Sequence, residues 1–238
     1  MVIMKFFIRR KSDYIKKAAF GSALFFVSAF AVFTSKADEL QNDSILTARA
    51  VFEKIHCPAL EILPPSTRLD MLDYWDVDSV YKASNDMEGL SWLDEVSLDY
   101  LKVHITSVST LEIKILPAKK GNIIMTVNTI GDEEQAQDSQ VNFYDIDLKE
   151  LPADKHLVIP AVKDFFELPK GSITKMKEIE QMIPFPTVAY SANSENDNLE
   201  ARLTIEKYIN EDDWNILKLF IKPNIILEWK KEKYKYIK

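Results

Sequence analysis

Between residues 100 and 148 the apolar residues recur with a period of two, and that alternation limits the fold more than any other feature of the chain. In "YLKVHIT" (100–106), Leu101, Val103 and Ile105 alternate with Lys102 and His104. In "LEIKILP" (111–117), Leu111, Ile113 and Ile115 alternate with Glu112 and Lys114. "NIIMTVNTI" (122–130) and "VNFYDIDL" (141–148) follow, and Lys120-Gly121-Asn122 and the acidic run 131–138 supply turns. Successive side chains of a strand point to opposite faces, so these runs read as half-buried strands. A four-stranded meander is expected.

Upstream the period is helical. Ile45, Ala48, Phe52 and Ile55 predict a helix over 45–56, closed by Cys57-Pro58. Pro64-Pro65-Ser66 announces a second helix, with Ser66 as its cap and Leu69, Met71, Leu72 and Trp75 on its apolar side. Asp70, Asp73 and Asp76 fall on the opposite face. A polar segment, 82–96, precedes the meander.

Downstream the same order returns. "PAVKDFFEL" (160–168) and "SITKMKEIEQMI" (172–183) read as short helices. "TVAYSA" (187–192), "LEARLTIEKYI" (199–209), "NILKLFI" (215–221) and "IILEW" (225–229) read as strands. The expected class is therefore α+β: two tandem helix-plus-four-strand units, 45–150 and 151–238, forming one antiparallel sheet with helices on one face. Beta-lactamase-inhibitor-like proteins are similar in element order. The other sheet face is then solvated or holds a partner, and it offers Tyr100, Lys102, His104, Glu112 and Lys114 side by side.

The first forty residues carry an address. A basic arm (Lys5, Arg9, Arg10, Lys11, Lys16, Lys17) precedes an apolar run from Ala18 to Phe33, and Ser35-Lys36-Ala37 follows. A spanning helix needs about 20 apolar residues. This run is shorter and ends in a small-x-small site, so 1–37 reads as a cleaved secretory signal and 38–44 as a disordered linker. An uncleaved anchor is the alternative. After cleavage no membrane span is expected. Seven of the chain's 30 basic residues but only one of its 37 acidic residues lie in 1–37, so cleavage takes the formal charge from −7 to −13. Such a charge disfavours nucleic acid and anionic membranes. Cys57 is the only cysteine, which leaves no internal disulfide, so stability must come from the core.

"LPPSTRLDMLDYWD" (63–76) and "LDYLKVHITSVSTLEIKILP" (98–117) resemble an uncharacterised family of exported Bacteroidales proteins, a domain of unknown function numbered 3256. The resemblance implies export from a Gram-negative cell, to the periplasm or the cell surface. It carries no activity and no functional residue.

Candidate chemistry is sparse. Cys57 with a histidine base would be a nucleophile, but its neighbour His56 adjoins it at a helix end, where adjacent side chains diverge. Ser79–Lys82 and Ser172–Lys175 fit S-x-x-K, without the companion motifs of acyl enzymes. Asp70, Asp73, Asp76 and Asp78 lack the glycine turn of a calcium loop and read as a solvated face or a recognition patch. The tail "WKKEKYKYIK" (229–238) reads as a last strand whose lysines guard a sheet edge. No zinc pattern and no phosphate-cradling loop occur, and no cofactor is expected. The reading is an exported, non-enzymatic binding module for an envelope protein or a glycan. Its interaction surface is Asp70, Asp73 and Asp76 or the sheet face. The alternative is an envelope hydrolase using Cys57 or a carboxylate pair.

Overall fold

Three of the four alternating runs are strands, and the fourth is strand over 141–144 and turn over 145–148, in the structure, a computed structural model that describes residues 45–77, 80–132, 134, 136–169 and 172–236. The expected signal (1–37) and linker (38–44) lie outside the described residues, as do Asp78 and Ser79. Two helices come first, α1 (Ala48–Lys54) and α2 (Pro65–Trp75). Thr47, not a residue of the apolar repeat, caps α1 through its hydroxyl. Pro64 stands at the start of α2 and Pro65 is its first residue, so Ser66 is inside the helix rather than its cap.

The large sheet has seven antiparallel strands in chain order: β1 (Ala83–Ser84), β2 (Leu90–Val96), β3 (Tyr100–Thr106), β4 (Ser109–Pro117), β5 (Asn122–Ile130), β6 (Asp138–Tyr144) and β7 (Glu150–Leu151). The segment 82–96 is thus partly strand. Its alternation is hidden because a bulge between Leu93 and Glu95 shifts the phase. One of its inward residues is a serine: Ser91 donates to the carbonyl of Ile105 at 2.6 Å.

Next come α3 (Ala153–His156), α4 (Ile173–Met182), β8 (Val188–Ala192), β9 (Leu199–Leu203), α5 (Glu211–Leu217), β10 (Ile225–Trp229) and β11 (Tyr234–Tyr236). Strands β8 to β11 form a second sheet of their own, in the order β11-β10-β9-β8. The class is α+β, but the strands divide seven and four between two sheets instead of joining in one. "NILKLFI" is not a strand. Asn210 caps α5 by accepting the N–H of Asp213, and Glu211, Asp212 and Asp213 fill the first turn, where acids are favoured. Those start signals outweigh the apolar run behind them. "PAVKDFFEL" contributes only a 3-10 turn over Val162–Phe165.

The period-two pattern builds two cores, one on each face of the large sheet. Leu101, Val103, Ile105, Leu111, Ile113, Ile115 and Ile124 pack with Val51, Phe52 and Ile55 of α1 and Met71 and Leu72 of α2. On the other face, Leu116, Met125, Val127 and Phe143 pack against Leu199, Ala201, Leu203 and Leu227 of the second sheet. The face expected to be open is therefore largely covered, by the second half of the same chain.

Gly131 closes the turn after β5 with φ +104°, where an added Cβ would lie 2.6 Å from the carbonyl of Ala136. Gly131→Ala is expected to lower unfolding stability by about 1–2 kcal/mol in a urea titration, through strain at a positive φ and a backbone clash.

Candidate functional site

Strand β8 stands edge-on against the large sheet, and this contact forms the site. A strand's free edge carries unpaired N–H groups that need partners. Three from β8 find them in side chains of the large sheet. Val188 N–H donates to Asp138 Oδ1 at 3.1 Å, Tyr190 N–H to Ser139 Oγ at 2.9 Å, and Ala192 N–H to Glu112 Oε2 at 2.6 Å. Glu112 Oε1 also accepts from Ser191 Oγ at 3.2 Å. The acid is only 4% exposed. Burial raises its pKa to about 7, against the opposing pull of those donors and of Lys102.

Beside these contacts the sheets splay apart, leaving a cleft of about 460 Å³. Lys102, His104 and Glu112 line it from the large sheet, Glu200 and Arg202 from β9, and Asn224 from the loop before β10. Most of these groups are already fixed. Arg202 donates to Gln137 at 2.7 Å and to Glu206 at 3.1 Å. Asn224 donates to Glu200 Oε2 at 2.8 Å. Lys102 and His104 lie 3.2 and 3.5 Å from Asp94 Oδ2. Burial lowers the pKa of His104, against the opposing pull of Asp94. Its ring stacks on Trp92 with centroids 4.4 Å apart, and Lys82 lies 4.3 Å from the same indole. The cleft thus presents charges of both signs and fixed donors and acceptors beside an aromatic stack.

The residues proposed from sequence do not stay together. Lys102, His104 and Glu112 meet in this cleft. Tyr100 is 3% exposed, and Lys114, 1% exposed, points its ammonium at Asp99 Oδ2 (2.7 Å) and the carbonyl of Ser194 (3.4 Å). Tyr100, Glu112 and Lys114 are therefore internal, a correction to the expected open face. The reason is that β8 and the loop after it dock there. Asp70 and Asp73 are exposed on α2, and Asp76 at its end holds Arg49 with two bonds of 2.8 and 3.0 Å. These three are on the opposite side of the large sheet from the cleft, beside the helical core. Glu200, Arg202 and Asn224 escaped the sequence reading because only the packing of the second sheet brings them to β3 and β4. The polar half of the Leu199–Leu203 alternation was the available signal.

Neither nucleophilic version of the alternative gains geometry. Cys57 is half-buried, burial raises its thiol pKa, and the chain through it is extended, which turns the neighbouring His56 away. His104 lies on the far face of the sheet, and His156 is held by the carbonyl of Glu232 at 2.8 Å. Glu112 and Glu200 do share the cleft, but both oxygens of Glu112 are engaged by β8. Lys175 of the second S-x-x-K lies 4.0 Å from the Phe220 ring. In the tail, Trp229 and Tyr234 pack with Phe143 in the second core. Among the described residues no group of His, Cys, Asp or Glu is placed to hold a metal, and no helix is long and apolar enough to cross a membrane.

The family model described as "Protein of unknown function (DUF3256)" matches residues 42–234. No curated protein matches. A solved structure, of a domain of an uncharacterized protein from Porphyromonas gingivalis W83, is similar with a TM-score of 0.67 and 20% identity. The match covers 79% of this chain and 96% of that one. At that identity the likeness is one of fold.

Proposed function

The chain belongs to the DUF3256 family, and from that premise we propose that it is an exported, non-enzymatic binding protein of the bacterial envelope whose cleft takes a neutral glycan. The observation that carries this reading is the cleft between the sheets. Its lysine, arginine, glutamates and asparagine are held in place by neighbours before any ligand arrives, so binding orders few side chains. Charges of both signs side by side suit an uncharged ligand with many hydroxyls better than an ion. The Trp92 indole, stacked on His104, holds that imidazole in place where it lines the cleft beside Lys102. Export is supported by the basic arm, apolar run and small-x-small site of residues 1–37.

The test is a glycan array probed with residues 38–238, followed by calorimetry with the strongest neutral glycan. Arg202→Ala is expected to weaken binding about tenfold or more, the worth of one hydrogen bond to a charged group. Asp73→Ala, on the far face, should leave it unchanged. An array without a single neutral glycan above background would refute the glycan reading.

A further inference from the structure

The outer edge of β6 borders a hollow at the other side of β8. Strand β6 pairs with β5 over its whole length, without a bulge, but β7 covers it only at Phe143 and Tyr144. Asp145 N–H donates across to the carbonyl of Lys149, so the odd-numbered positions carry the outward backbone groups. Among the described residues no strand pairs with the outward N–H and C=O of Ser139 and Val141. This open stretch borders a hollow of about 560 Å³ whose other walls are Leu157, Ile159, Pro186, Val188 and Tyr190. Ile159 in this wall is 75% exposed. Asp138 and Asp154 also line the hollow; among the described residues neither has an ion-pair partner, and one oxygen of Asp138 accepts the Val188 N–H. Lys233 approaches Asp154 at its carbonyl, 2.6 Å away, rather than at its carboxylate.

We propose that this edge receives an extended, basic and apolar segment of a partner protein, added as a strand beside β6. The open backbone groups supply the ladder, the apolar wall takes alternate side chains, and the two carboxylates take lysine or arginine. A second copy of this chain fits less well, because pairing two such edges brings Asp138 and Asp154 of both copies together in a chain whose residues 38–238 carry a formal charge of −13.

The test uses residues 38–238 and the probe peptide acetyl-Lys-Val-Thr-Val-Thr-Lys-amide, read by fluorescence anisotropy. Two N-methylated versions are compared, methylated on alternate residues, so that each blocks the hydrogen bonds of one peptide edge only. One version is expected to bind about tenfold or more weakly while the other stays within about twofold. Asp154→Asn should weaken the parent peptide about threefold, and added salt should remove that difference. Equal behaviour of the two methylated peptides, or no binding of the parent, would overturn the proposal. A concentration-dependent doubling of mass without peptide would overturn it in favour of a second copy.

Discussion

Glu112→Gln is expected to raise the unfolding stability at pH 8 by about 3 kcal/mol and to flatten its dependence on pH. Burial holds the Glu112 carboxyl at about 7 in the folded chain, against an ordinary value of 4.5. An acid with a raised folded pKa binds its proton more tightly when folded. Its contribution is therefore fully present below about pH 4.5 and is lost as pH rises through about 7. Glutamine keeps the acceptor for Ala192 N–H and can donate to Ser191 Oγ, and it has no charge to bury. Glu112→Ala should act in the opposite direction at low pH, because it leaves the N–H of Ala192 without a partner. Urea titrations of the three proteins from pH 4 to 9 measure both effects. A wild-type curve that rises between pH 5 and 8 while the glutamine variant follows it would show that Glu112 is not buried against β8.

Arg68→Ala is expected to lower stability by about 3 kcal/mol, roughly 10 °C in melting temperature for a chain of this size. Arg68 is 3% exposed on the buried side of α2, where the sequence pattern placed only apolar residues. Its Nη1 donates to the carbonyls of Phe52 at 2.7 Å and Ile55 at 2.9 Å, at the end of α1. The last carbonyls of a helix have no partner within it. Without the guanidinium these two are buried and unsatisfied, and the contact of Arg68 with the Phe52 ring is lost as well. Arg68→Lys should recover part of the loss, since an ammonium can reach one carbonyl. A decrease below about 1 kcal/mol for Arg68→Ala would mean that α1 ends without help from α2.

The large sheet was legible because its strands are long and their alternation is regular. Leu101, Val103 and Ile105 announce one face of β3, and Lys102 and His104 the other. What period two cannot tell is what covers the second face. Here Lys102, Glu112 and Lys114 resemble a solvated row, yet Lys114 is sealed under the second half of the chain and Glu112 caps the edge of β8. Polar residues on a strand face can serve as acceptors and donors for a neighbouring backbone, and no local pattern separates that use from exposure to water. The helix α5 was missed for a different reason. Its seven residues are too few for a helical period to outweigh the apolar run that follows Asn215. Half of the cleft was visible as Lys102, His104 and Glu112. The other half depended on a contact between strands some 90 residues apart in the chain.

The most direct test of the account is an amide chemical-shift titration of residues 38–238 with the neutral glycan that binds best. The largest shifts are expected to cluster at 102–104, 189–191 and 200–202. Shifts confined to α2 around Asp70 and Asp73, or spread evenly over the surface, would contradict a binding site between the two sheets.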